Sequence, residues 1–518
     1  MSVFGSTRVA AYAAVLALTA ASSLPAQAQN PGAPGMRERI DKLIPEFETY
    51  LQSGMKSFKV PGVAVGIVHD DKLIYAKGFG VKEAGKPDPV NPATIFQIGS
   101  TTKAFFGTTL AQAVDSGKLA WSDRVSDLLP EFQLSDPWVS RDFRVLDLAA
   151  QRSGLTPYVN DGLSGLGYDA MTLVRSLREA PLTEAFRSDF NYVNIPHIAG
   201  GMILAKKMGV ASWDDVVKKG ILDPLGMKSS SSTAEAIEKA PDHATGHRQD
   251  KSGTVAIPFH QFFPYIHGPA GGINSNIPDM AQWLRLQLGR GQFEENIIVS
   301  EKNLDVTWTP RVAINERISY AVGWVVTATP NGRIIWHNGG TMGFGAHVGF
   351  LPDRGVGIVV LTNAENAGFP DAVAQWVYDR LLGNDGVDNV ALALEAARAK
   401  QAAEDKEAAP PGKAPAPQDL SALAGTYVSP LLGDVTASVV GTKLQLRLVD
   451  TDATLTLEPR DDDLFDARLD PVGSFAPVVA MVGDEILTQV RFERDKSGAV
   501  KRMRWVSPTL PQVFGRQE

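Results

Sequence analysis

Phe96-Gln-Ile-Gly-Ser-Thr-Thr-Lys103 sets a serine and a lysine three residues apart, just after the strand-like run Thr94-Ile-Phe-Gln-Ile98. Three residues is nearly one helical turn, so a helix opening at Ser100 puts Lys103 on the same face as the hydroxyl, where it can take its proton. Serine alone is a weak nucleophile; it needs such a base and oxyanion donors aimed at the developing charge. Unpaired N–H groups at a helix start favour that charge. Lys103 must also be neutral part of the time, which requires burial or a cationic neighbour. The same tetrapeptide occurs at Ser53-Gly-Met-Lys56. There it ends an amphipathic stripe (Ile40, Leu43, Ile44, Phe47, Leu51, Met55) that runs into Val60-Pro61, and it reads as a solvated helix terminus. The strand feeding Ser100 selects Ser100.

The partners of such a pair also come in duplicate. Tyr-x-Asn stands at Tyr158-Val-Asn160 and at Tyr192-Val-Asn194, and His-x-Gly at His337-Asn-Gly339 and His347-Val-Gly349. A phenol near the nucleophile can relay its proton, and an amide two residues on can bond a substrate or the lysine. The first His-x-Gly follows Arg333-Ile-Ile-Trp336, an expected edge strand, and runs into Gly340, where a substrate backbone can come close.

The order Ser100-Thr-Thr-Lys103, Tyr192-Val-Asn194, His337-Asn-Gly-Gly340 resembles the three motifs of the serine β-lactamase-like group: class C β-lactamases, D-aminopeptidases and family VIII esterases. Further landmarks of this group are similar here: Gly117-Lys-Leu119, Leu128-Leu-Pro-Glu-Phe132, Ser153-Gly-Leu155, Phe190-Asn-Tyr-Val-Asn194, Pro224-Leu-Gly-Met227 and Ala270-Gly-Gly-Ile273. The resemblance covers roughly residues 36 to 382 and picks Tyr192 over Tyr158. It implies Ser100 as the acylated nucleophile and Lys103 and Tyr192 as general base and acid. The catalytic set is completed by His337. Asn194 would orient Lys103 or the substrate amide, and Gly339 and Gly340 would line the oxyanion site, with the N–H groups of Ser100 and Gly340 as donors. Class C enzymes usually carry Lys-Thr-Gly as the third motif. Lysine there is a permanent cation that helps hold a β-lactam carboxylate, whereas histidine is largely neutral at pH 7. His337 in the first position resembles instead the D-aminopeptidase and related peptidase or esterase branch.

Strand-like runs at Gly62 to His69, Leu73 to Val81, Ala321 to Thr327, Ile334 to His337, Ala346 to Leu351 and Gly357 to Thr362 flank a long helical stretch. They predict an α/β (α+β) domain, an antiparallel sheet flanked by helices with a helical insert. Val390 to Ala409 reads as helical or frayed, and Pro410-Pro-Gly-Lys-Ala-Pro-Ala-Pro417 as a stiff linker. Short alternating segments beyond Leu420 predict a small all-β domain, similar to the lipocalin-like barrels attached to such hydrolases. The expected organisation is a signal peptide over 1–28, the hydrolase domain over 29–385, a linker over 386–418 and the β-domain over 419–518.

Arg8, the apolar run Val9 to Leu18 and Ala26-Gln-Ala28 have the layout of a cleavable secretory signal, predicting a periplasmic or secreted protein with no stable membrane anchor. No cysteine is present, which excludes disulfides and thiolate metal sites. The net charge of -8 argues against nucleic acid as a partner. No cofactor and no metal is expected. His243-Ala-Thr-Gly-His247 is a candidate metal pair, but Pro241 and Gly246 favour a loop over a ligand-bearing helix. The expected activity is acyl hydrolysis of small peptides, amides or esters. A β-lactamase or D-Ala-D-Ala carboxypeptidase is the alternative, and a non-catalytic scaffold of the same fold the third. A homo-oligomer formed through the β-domain is a further expectation.

Overall fold

The computed structural model describes residues 35–408, 419–483 and 485–517. The expected signal segment and the Pro-rich part of the linker lie outside them.

Helix α1 (Met36–Phe58) leads into the hairpin β1 (Gly62–His69) and β2 (Lys72–Gly80), turned at Asp70-Asp71. After the nucleophile segment and helix α2 (Thr102–Asp115) comes the insert of short helices and loops, including α3 (Ile195–Met208) and α4 (Ile277–Leu288). The chain then returns to the sheet through β3 (Val312–Ala313), β4 (Ile318–Tyr320), β5 (Val325–Thr329), β6 (Gly332–Gly340), β7 (Gly345–Leu351) and β8 (Val356–Thr362). The sheet is antiparallel, in the order β2-β1-β8-β7-β6-β5-β4-β3.

Its central strands are apolar on both faces because both faces are covered. Val63, Val65 and Ile67 of β1, with Ile358 and Val360 of β8, pack into one core with α1 and with α5 (Phe369–Leu382). Ala64, Val359 and Leu361 face the other core, built with α2, α4 and the insert. Glycines on that face let α4 approach: a Cβ on Gly66 would sit 2.5 Å from Ile277, and one on Gly357 2.9 Å from Leu284.

Two sequence expectations change. The run Arg333 to Trp336 is interior, between β5 and β7, because β5 pairs with it and the sheet continues through β4 and β3, two strands too short to show periodicity. The strand expected to start at Ala321 starts at Val325. Gly323 turns there with φ +79, and its Cα lies so close to helix α2 that a Cβ would meet the Lys103 carbonyl at 2.2 Å.

Helix α6 (Asn389–Ala408) follows α5 and seats Val390 and Ala393 in the core shared with α1. The C-terminal region is a closed eight-stranded antiparallel barrel: β9 (Gly425–Ser429), β10 (Gly433–Val440), β11 (Lys443–Leu448), β12 (Thr454–Asp461), β13 (Leu464–Leu469), β14 (Thr488–Arg494), β15 (Val500–Trp505) and β16 (Gln512–Arg516). Alternate residues such as Leu444, Leu446, Leu448, Leu455 and Leu457 are fully buried. The rings of Tyr427 and Phe492, on non-neighbouring strands, meet at 5.7 Å, so side chains fill the interior. Asp463 in the β12–β13 turn is paired with Arg494. The barrel and the insert share one continuous core.

Candidate active site

Ser100 sits in a single 3-10 turn, Gly99–Thr101, at the head of α2. The turn is formed by close backbone approach. Gly99 has φ +51, and a Cβ there would lie 2.6 Å from the Gly340 nitrogen; a Cβ on Gly339 would lie 2.0 Å from the Ile98 carbonyl oxygen. The end of β6 is thereby pressed against the nucleophile turn, which only glycine allows. Gln97 accepts from the Thr341 hydroxyl at 2.7 Å, a second tie between the nucleophile segment and the residue after β6, and donates to Tyr265 at 3.0 Å.

Lys103 has no exposed surface. Its Nζ donates to Ser100 Oγ at 3.1 Å and to the Ala270 carbonyl at 2.8 Å, and lies 4.6 Å from the centre of the Tyr192 ring. Burial lowers its pKa to about 7, while the Asp161 charge pulls the other way. The Ala270-Gly-Gly-Ile273 landmark thus supplies an acceptor for the lysine and also pairs with the nucleophile strand, Ile98 N–H to Ile273 O at 3.0 Å.

Tyr192 is held at the same place by the start of α3. Burial pushes its phenol well above the usual tyrosine range, with the nearby Tyr320 and Tyr158 adding to the rise and the Ser100 hydroxyl opposing it. Tyr192 is therefore a neutral phenol near neutral pH. Asn194 is the residue that precedes α3, but its side chain makes no capping bond and instead donates Nδ2 to Asp161 at 2.6 Å.

His337, on β6, has both ring nitrogens engaged. Nδ1 lies 2.6 Å from the Asn338 carbonyl and so must carry the proton, which leaves Nε2 to accept from Tyr320 at 2.9 Å. Burial, aided by the Lys103 charge, drops its pKa to about 3. As placed it is a neutral ring with no spare donor or acceptor.

The structure thus brings Ser100, Lys103, Tyr192, Asn194, His337, Gly339 and Gly340 into one locality. The duplicate motifs fare differently. Ser53 and Lys56 are exposed on α1. His347 lies behind the sheet, its Nδ1 2.7 Å from Asp371 and its Nε2 3.1 Å from Tyr378, where it ties β7 to α5. Tyr158 packs its ring 5.3 Å from that of Tyr192 and donates its N–H to the Tyr192 carbonyl, so this copy is a wall of the site. The sequence readings passed over Asp161 and Tyr320, which have no motif of their own; the only signal for Asp161 was its place directly after the first Tyr-x-Asn, Tyr158-Val-Asn160. His243 and His247 spend ring nitrogens on backbone carbonyls. Among the described residues, no group of three or more His, Asp or Glu side chains could hold a metal ion, and no helix is long and apolar enough to cross a membrane.

Residues 47–427 match the model of the Beta-lactamase family. The chain belongs to the beta-lactamase family. A domain of unknown function, DUF3471, matches residues 409–517 and coincides with the barrel. An unguisins hydrolase of Aspergillus campestris is 28% identical over 343 residues, 62% of each chain. Protein flp of Staphylococcus aureus strain N315 is 24% identical over 340 residues, 65% of each chain. The match spans less than two thirds of the length of these relatives. Among solved structures, the octameric penicillin-binding protein homologue from Pyrococcus abyssi has the same fold, with a TM-score of 0.59 at 22% identity, covering 91% of this chain and 99% of that one. As a member of this family the protein has a serine hydrolase fold of the β-lactamase and penicillin-binding type.

Proposed function

We propose that this beta-lactamase-family protein hydrolyses small amides, peptides or esters through an acyl-enzyme on Ser100, and that it works outside the cytoplasm. The observation that carries the reading is the buried Lys103 amine, 3.1 Å from Ser100 Oγ with a pKa near 7. A binding scaffold has no use for a desolvated general base.

Neutral Lys103 takes the Ser100 proton as the oxygen attacks the acyl carbon, and the N–H groups of Ser100 and Gly340 receive the negative charge on the carbonyl oxygen. Tyr192, a neutral phenol beside the nucleophile, passes a proton to the leaving group and is reprotonated from Lys103. Water then adds to the ester carbonyl and Ser100 leaves with its proton restored. Asn194 holds the substrate amide or Lys103. Tyr320-held His337 gives this wall a neutral surface in place of a cation, which favours uncharged acyl substrates over the carboxylate of a β-lactam. Kinship to a protein named a hydrolase supports the reaction class.

The test is the purified protein against a chromogenic cephalosporin, short-chain nitrophenyl esters and D-amino-acid amides. Ester or amide cleavage should be lost in Ser100→Ala, and a fluorophosphonate should label Ser100. Rapid cephalosporin turnover with little ester or amide cleavage would replace the substrate class. Activity unchanged in Ser100→Ala would remove the nucleophile.

A further inference from the structure

Asp161 belongs to none of the three motifs, yet its carboxylate is 6% exposed beside the reacting groups. One oxygen, Oδ2, accepts from Asn194 at 2.6 Å, while Oδ1 is buried with no hydrogen-bond partner among the described residues. A carboxylate only accepts, so Asn194 must turn Nδ2 towards it, leaving the amide oxygen as its other end. Among the described residues Asp161 is the one carboxylate acting on Lys103. Burial raises its own pKa, while His267, the Asn194 hydrogen bond and the Lys103 charge favour its ionised form. The remaining groups near the lysine are Ser100 in the turn before α2, Tyr192 before α3, His197 on α3, His267 and His337. The three histidines are kept neutral by burial.

What fixes Asp161 comes from the other end of the chain. Its neighbour Asn160 is fully buried in the left-handed region, φ +60. The Asn160 N–H donates to the Thr509 carbonyl at 2.7 Å, and its Oδ1 accepts from Gln512 at 3.1 Å. Its Nδ2 donates to Ser176 at 2.9 Å. Thr509, in the turn before β16, and Gln512, the first residue of that last barrel strand, are both buried. Hydrogen bonds run from the barrel to Asn160 and, from its neighbour Asp161, to Asn194, and the Asp161 charge acts on Lys103 through space.

We propose that Asp161 is a positioning residue of the acyl-transfer site, orienting the Asn194 amide and facing the Lys103 ammonium, and that the barrel holds it in place through the grip of Thr509 and Gln512 on Asn160. The proposal rests on Ser100 and Lys103 acting as described above. The barrel is then part of the catalytic apparatus, although it supplies no reacting group.

The experiment measures fluorophosphonate labelling and ester kcat/KM against pH for the full chain and for Asp161→Asn, Gln512→Leu and Val513→Ser. Val513 neighbours Gln512 but is exposed. Removing the Asp161 charge should stabilise neutral Lys103, moving the rising limb of the profile to lower pH. The plateau should fall by about ten- to a hundred-fold through loss of orientation. Gln512→Leu should lower the plateau by roughly three-fold or more at unchanged KM, and Val513→Ser should match the parent. An unmoved limb in folded Asp161→Asn, together with an unchanged plateau in Gln512→Leu, would overturn the proposal. So would loss confined to substrates with a free amino group, since Asp161 would then bind substrate. Failure of the parent protein to label at Ser100 would instead remove the catalytic reading beneath it.

Discussion

Lys103 is a full lysine side chain with no exposed surface, and its hydrogen bonds to Ser100 and Ala270 leave its charge without a direct carboxylate partner among the described residues. Its chemistry follows from that setting. The kcat/KM for ester cleavage should rise as pH passes about 7 and level off above, because the base works only when deprotonated. A flat profile between pH 5 and 9 would contradict this assignment. The same shift affects stability. Folded Lys103 gives up its proton near 7 whereas the unfolded chain keeps it up to 10.5, so the unfolded state binds more protons in that window and stability rises with pH across it. Lys103→Met should abolish acylation and flatten that rise, as read from denaturant midpoints at pH 6, 8 and 10.

At the level of elements, the decisive contact is the end of β6 on the turn before α2. Both sides use glycine because backbone meets backbone there. Gly99→Ala combines a left-handed φ, costing about 1–2 kcal/mol, with a collision against Gly340. The Gly340 donor moves away from the nucleophile, and kcat should fall by about a hundred-fold, more than the change in melting temperature accounts for. Gly85→Ala is the control: φ is +82, but nothing lies within 4 Å of its Cβ. It should lose a little stability and no activity. Equal losses of kcat in the two variants would show that strain alone matters and that the β6 contact does not.

At the scale of the whole molecule, barrel and hydrolase domain share a core and are joined by hydrogen bonds from Tyr168 to Leu432 at 2.8 Å and from Asn160 to Thr509 at 2.7 Å. Calorimetry should therefore show one cooperative unfolding transition. Phe492→Ala, which opens a cavity inside the barrel worth about 3–5 kcal/mol, should lower the melting point of the whole protein. Two resolved transitions, with only one displaced by Phe492→Ala, would mean the domains unfold independently.

What the sequence determined by itself was local. The strand before Ser100 and the three-residue spacing to Lys103 fix a geometry within one turn. The apolar runs of β1 and β8 mark strands, and short alternating segments such as β11 mark the all-β C-terminal region. Choosing among duplicated motifs already needed their order along the chain, since Tyr158-Val-Asn160 carries the same side chains as Tyr192-Val-Asn194. The rest was decided by the tertiary structure. That His337 is a neutral ring fixed by Tyr320, that Lys103 titrates near 7, and that Asp161 joins the barrel to Asn194 all depend on which distant segments exclude water from these groups. Desolvation and charge act through space, and residues 161, 337 and 509 share no local signal that would bring them together.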